Sequence, residues 1–258
     1  MKKAVLVVSF GTTYEETRKN TIELCEKKIS IALSDYDFYR AYTSNRIIKK
    51  IKNRDGIEIN NPLQVLEKLY EEGYEEVIVQ PLHIICGEEY NKLKCEIEKY
   101  RYKFKRIILG MPLLTCEDDY KEFVEAIITQ IPKLCYDEAI LFVGHGTLHE
   151  SNLVYKDVEN MLRDYGINAY IVTLEGDKNI HHVIKNLKSE NIKTINLMLM
   201  MLVVGYHVGK DIKGDKESSL KNILEKKGFK LNMNLKGLGE NEKIQDKFVR
   251  HACSCIEK

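Results

Sequence analysis

The stretch ILFVGHGTLHESN, residues 140–152, lies without gaps on an earlier stretch, VLVVSFGTTYEET, residues 5–17. Each is an apolar run that ends in a glycine turn and passes into a polar, helix-forming segment. Gly146 meets Gly11, Thr147 meets Thr12 and Glu150 meets Glu15, whereas His145 stands where the first copy has Phe10. A second pair behaves alike. PLHIICGEEY (81–90) on LMMLVVGYHV (199–208) brings Gly87 onto Gly205 and Glu89 onto His207. The chain therefore reads as two α/β halves related by duplication. Pro132 in QIPKLCYDE marks a joint near residues 131–136, so domains are expected at 1–132 and 133–258.

Between these anchors, apolar runs alternate with charged segments of helical period. Strands are expected over residues 4–10, 38–43, 75–85, 106–114, 138–144, 169–176 and 193–205, with a short one within 230–239. Helices are expected over 13–33, 61–73, 117–131, 150–166, 178–190, 218–228 and 241–256. Wholly apolar strands separated by helices predict a parallel sheet covered on both faces in each half. In such folds a ligand sits beyond the carboxyl ends of the strands.

Composition bounds the function. In 258 residues, 44% are hydrophobic and 31% charged, the balance of a soluble globular chain. Lysine and arginine (40) nearly cancel aspartate and glutamate (39), so no global field draws the chain to nucleic acid. The opening MKKAVLVVSFGTT starts like a signal peptide, but its apolar run stops at Ser9 with no cleavage site after it. The later run INLMLMMLVVG is too short to span a bilayer. A cytoplasmic protein without a membrane partner is expected. Seven cysteines without a C-x-x-C pair read as idle thiols, with Cys253 and Cys255 a weak metal pair.

Candidate chemistry gathers at strand ends. His145 follows one strand, Glu175 ends the next, and His207 follows a third after Gly205. Two imidazoles and a carboxylate form a borderline-metal set with open coordination positions. Their spacings of 30 and 32 residues form no local motif, so the set depends on the inferred sheet. The first-half loop offers Ser9, Thr12, Thr13 and backbone N–H groups. These suit a carboxylate or phosphate and equally a plain helix cap; the lysine of a P-loop is missing. Met198, Met200 and Met201 read first as core, with a pocket-lining role open. His83 reads equally as a satisfied core histidine or as one reaching the ligand. His149 fits a supporting role near His145. One of His181 and His182 is expected to face the core, and His251 to be exposed.

Together SFGTTYEETR, PLHIICGEEY, FVGHGTLHESNLVY, LEG, MLVVGYHVGKDIKG and LKGLGE resemble the anaerobic cobalt chelatases of the CbiK type, a class II chelatase family of cobalamin synthesis. The resemblance spans the whole chain with its motifs in order. It implies two similar α/β domains, each a parallel sheet flanked by helices, with an active cleft between them. It implies ATP-independent insertion of Co(II) into sirohydrochlorin, with no cofactor beyond that substrate metal. His145, Glu175 and His207 would then be the metal ligands. Glu89, in the G-E-E-Y motif, would point into the cleft and act with His145 in taking up the two pyrrole protons. Ser9, Phe10, Thr12, Thr13, Glu89 and Met201 would contact the macrocycle. Where the family usually reads Gly-Asp-His-Ala, this chain has Gly205, Tyr206, His207 and Val208, so a phenol replaces an acidic neighbour of a ligand. An iron or nickel chelatase, and a tetrapyrrole or metal carrier without turnover, remain as alternatives, and a homo-oligomer stays open.

Overall fold

The computed structural model describes residues 1–176, 180–205, 208–214 and 216–257. It divides into two compact units: unit 1, Met1–Thr115 with Gly239–Lys258, and unit 2, Cys116–Leu238.

Unit 1 begins with β1 (Lys3–Ser9), whose residues from Ala4 onward are all buried. Two helices follow, α1 (Glu15–Asn20) and α2 (Ile22–Ala32). One continuous helix was expected here. The chain breaks at Thr21, whose backbone leaves the helical region at φ −132° and ψ −79°. Its hydroxyl donates to the Thr17 carbonyl at 2.6 Å, a bond that competes with the helix ladder. Then come β2 (Asp37–Tyr42), α3 (Asn45–Asp55), α4 (Pro62–Glu71), β3 (Glu76–Pro81), α5 (Glu88–Glu98) and β4 (Arg106–Leu109). The α4 start carries a full capping box, Asn61 with Gln64, and Pro62 in the first turn. The sheet order is β2-β1-β3-β4, with every pair parallel.

Unit 2 opens with α6 (Glu117–Ile128), then β5 (Glu138–Gly146), α7 (Val154–Asp164), β6 (Ala169–Glu175), α8 (Ile180–Ser189), β7 (Thr194–Met200), α9 (Leu220–Lys226) and β8 (Lys230–Asn234). Its sheet order is β6-β5-β7-β8, again parallel throughout. Strand for strand this repeats unit 1, as the duplicated segments require.

The last helix, α10 (Glu242–Cys253), returns to unit 1 and packs on α2 and β3. The expected joint at residues 131–136 therefore falls inside unit 2. Packing sets this division. Phe123, Val124 and Ile127 of α6 are buried, and α6 packs against α7. Ile244, Phe248 and Ala252 of α10 are each 1% exposed or less. Burying the Phe248 ring alone contributes about 2 kcal/mol. Beyond α10 the chain is held by Arg106, which pairs with buried Glu76 at 2.6 Å and donates to the Cys255 and Ile256 carbonyls. A linear cut between the halves misses this return because helix docking is nonlocal. The expected helices also omitted α3 and α5, both heavily charged, with one and three buried residues respectively.

Candidate functional site

The turn after β5 builds the first part of the site. β5 carries His145 to the carboxyl edge of the unit 2 sheet. Gly144 packs under the Tyr155 ring: an added Cβ would stand 2.6 Å from it. Gly146 has φ +79°, and an added Cβ would meet the Glu175 carbonyl oxygen at 2.0 Å. Only glycine fits there, because β6 runs alongside with Gly146 in register with Glu175. The same close approach puts His145 beside the end of β6. Both His145 and Glu175 are exposed. His145 Nδ1 lies 3.2 Å from the Gly146 carbonyl oxygen. That contact suits an Nδ1–H donor.

Supporting groups hold this turn. The Thr147 hydroxyl accepts from the His149 N–H at 3.2 Å, and Asn152 Oδ1 accepts from the Thr147 N–H at 3.2 Å. His149 Nδ1 accepts from the Ser151 N–H at 3.1 Å, so His149 caps the following 3-10 turn (Glu150–Leu153). Tyr155, not singled out from the sequence, is fully buried beneath the turn, and burial pushes its phenol up to about 12. Leu148 and Leu153, in the segment that follows His145, are 83% and 65% exposed.

The matching turn after β1 repeats the backbone and changes the chemistry. Gly11 has φ +88°, and the Tyr42 ring occupies its Cβ position. Thr12 Oγ1 accepts from the Tyr14 N–H at 3.3 Å, as Thr147 does in unit 2. Thr12 is 2% exposed, so its hydroxyl is committed to the turn rather than to a ligand. Ser9 is equally buried, but its Oγ has no partner among the described residues. Thr13 is half-buried and Phe10 is 48% exposed. The helix that follows carries Glu15 and Glu16 in its first turn. Two carboxylates there oppose the anion site expected at its N-terminus.

Glu89 stands in the first turn of α5, ion-paired to Lys92 at 3.0 Å. His83, two residues past β3, is not the satisfied core histidine that one reading allowed. Both of its ring nitrogens are buried without a hydrogen-bond partner among the described residues. Burial pushes its pKa down to about 4, against an upward pull from Glu89.

Other expected positions resolve differently. His207, with Tyr206, lies outside the described residues. Met201 is 8% exposed and belongs to the apolar core of unit 2. His181 and His182 are both exposed, so neither faces the core. His251 is half-buried, with Nδ1 3.2 Å from the Met111 carbonyl oxygen, not exposed as expected. No group of three His, Cys, Asp or Glu poised for a metal occurs among the described residues; Cys253 is half-buried and Cys255 buried, both as free thiols. A cavity of about 180 Å³ is lined by Ile127, Phe142 and Met198, and of the residues singled out from the sequence it touches Met198 alone. No helix among the described residues is long and apolar enough to cross a membrane.

The doubled parallel-sheet architecture is shared with a known chelatase. The crystal structure of the sirohydrochlorin chelatase SirB from Bacillus subtilis subspecies spizizenii in complex with cobalt superposes with a TM-score of 0.67, at 13% identity, over 100% of this chain and 96% of that one. At that identity the likeness establishes the fold. The sequence places the chain more narrowly. Residues 3–257 match the family described as cobalt chelatase (CbiK), and the chain belongs to that family. A sirohydrochlorin cobaltochelatase from Salmonella typhimurium is 39% identical over 251 residues, 97% of this chain and 95% of that protein. Sirohydrochlorin cobaltochelatase CbiKC from Nitratidesulfovibrio vulgaris is 29% identical over 262 residues, 99% and 91% of the two chains.

Proposed function

We propose that the chain inserts Co(II) into sirohydrochlorin without ATP, releasing two protons, in cobalamin synthesis. The observation that carries this reading is membership of the cobalt chelatase family across residues 3–257; the strand register, which sets Gly146, the neighbour of His145, against Glu175, supports it. His145 and Glu175 are assigned as metal ligands, with His207 as the third. An exposed imidazole and an exposed carboxylate can take a hydrated ion from solution and leave positions open for pyrrole nitrogens. The exposed Leu148 and Leu153 offer an apolar surface to the macrocycle, as does Phe10 in unit 1.

Insertion has to remove two pyrrole protons. His145 takes one, by a nitrogen not bound to metal or at a separate moment, and Glu89 takes the other. The test is anaerobic mixing of the protein with excess sirohydrochlorin and Co(II), Fe(II) or Ni(II), each followed by absorbance. Repeated turnover fastest with Co(II) supports the reading. Faster turnover with Fe(II) or Ni(II) reassigns the metal, and a single stoichiometric binding event makes the chain a carrier.

A further inference from the structure

Unit 1 contains a polar residue that the roles above do not use. β1, β2 and β3 are neighbours, with Val8 in register with both Ala41 and Pro81. Pairing continues one residue further: the Thr43 N–H donates to the Ser9 carbonyl at 2.9 Å, and the Leu82 N–H to the Val8 carbonyl at 2.8 Å. Side chains alternate along a strand. Thr43, Phe10 and His83, each two residues beyond the Ala41, Val8 and Pro81 row, are thus assigned to the next row on the same face, at the sheet's carboxyl edge.

This row is unusual. Its centre is the exposed Phe10 ring. At its flanks, Thr43 Oγ1 and both His83 ring nitrogens are buried without hydrogen-bond partners among the described residues. Buried polar atoms are almost always paired, and an orphaned one is costly. An imidazole with two orphaned nitrogens does not stabilise the fold. It fits a residue whose partner arrives from outside. Glu89, at the start of α5, is near enough to act electrostatically on His83. Beside that carboxylate the favoured visitor is a donor N–H rather than a second anion.

We propose that His83 is a further catalytic residue, a neutral imidazole that accepts a pyrrole proton of the tetrapyrrole and relays a proton to Glu89. This rests on the chelatase reading. In the step a pyrrole N–H bond breaks, and its electron pair stays on the ring nitrogen for the metal. An N–H bond forms on the free imidazole nitrogen. The opposite imidazole N–H then gives its proton to the Glu89 carboxylate, so His83 ends neutral. Burial holds the resting ring unprotonated at neutral pH, which keeps one lone pair available and makes the charged form a ready donor.

The experiment compares wild type with His83→Gln, Glu89→Gln and the double variant, by steady-state insertion of Co(II) and by thermal melting. His83→Gln is expected to lower kcat about 10²-fold, the usual scale for one proton-transfer group, with KM for sirohydrochlorin within about threefold. The double variant should lose little more than either single one, since both act in one relay. The melting temperature should stay or rise, because no hydrogen bond to His83 is lost. A kcat for His83→Gln within about threefold of wild type overturns the proposal while the chelatase reading stands. Wild type that inserts none of the three metals overturns that reading and the relay with it. Should His83→Gln misfold, wild type with ¹⁵N-labelled histidine replaces it: metal-free sirohydrochlorin must shift the His83 ring resonances, and unmoved resonances overturn the proposal.

Discussion

The turns after β1 and β5 have one backbone and two chemistries. Gly11 and Gly146 share a positive φ, and Thr12 and Thr147 make the same bond to the N–H two residues on. Yet Ser9, Phe10 and Tyr14 of the first turn face Gly144, His145 and His149 of the second. The frame persists because its glycines have no alternative: a strand, a ring or a carbonyl occupies the Cβ position. The side chain between the glycine and the strand is under no such restraint and is where the halves diverge. Past β3 and β7 the same divergence sets His83 against Met201 and Glu89 against His207.

The sharpest way to break this comparison is to exchange the divergent residue. His145→Ala should reduce cobalt insertion by about 10³-fold or more, as expected when a metal ligand that also takes a proton is removed, with unchanged circular dichroism. Phe10→Ala should keep insertion measurable and raise KM for sirohydrochlorin, since it removes only apolar contact. Equal losses in the two variants would mean that the turns do not divide the labour. Glu175→Gln comes next, with an expected loss of about 10²-fold and weaker Co(II) binding by equilibrium dialysis, because a neutral amide is a poorer ligand for a hard-to-borderline ion.

Substitution of the shared glycines tests the frame. Gly146→Ala should cost about 3 kcal/mol in urea unfolding, combining left-handed strain with a clash against backbone. Gly11→Ala should cost less, about 2 kcal/mol, because the obstacle is the Tyr42 side chain, which can shift. The reverse order would mean that β6 yields more readily than the Tyr42 ring.

His83 separates the halves by pH. Its folded pKa of about 4 lies below the ordinary 6.5. Between these values the unfolded chain binds a proton that the folded chain does not, so stability rises with pH across that window. Acidification from about pH 6.5 to 4 should therefore cost on the order of 3 kcal/mol through this group, less whatever Glu89 returns as it approaches the ring. In His83→Gln that part of the pH dependence should vanish. The smallest effects belong to Thr12→Ala and Thr147→Ala, each about 1 kcal/mol in stability and under threefold in turnover, since each hydroxyl serves one local hydrogen bond.

Much of this was legible beforehand because it is written locally. Apolar runs of strand length, the capping box at Asn61 and the glycine turns each follow from a few adjacent residues. The alignment of residues 5–17 with 140–152 also fixed the equivalence of the two sheets and marked His145 as the added group. What escaped were features with distant causes. The break at Thr21 coincides with close packing of Gly239, whose Cβ position lies 2.7 Å from the Thr21 Cβ. Tyr155 gave no signal, since a helical tyrosine looks the same whether it is exposed or seated under Gly144.

By itself, then, the sequence determined a duplicated parallel α/β chain and its family, because these depend on period, turn geometry and residue type. Tertiary structure alone decided which helices complete which unit, with α6 joining unit 2 and α10 returning to unit 1, because docking depends on surfaces far apart in the chain. It alone also distinguished Thr12, whose hydroxyl is spent within its turn, from His83, whose nitrogens are left without partners. Whether a buried polar atom is satisfied depends on everything packed around it, and no run of neighbouring residues encodes that.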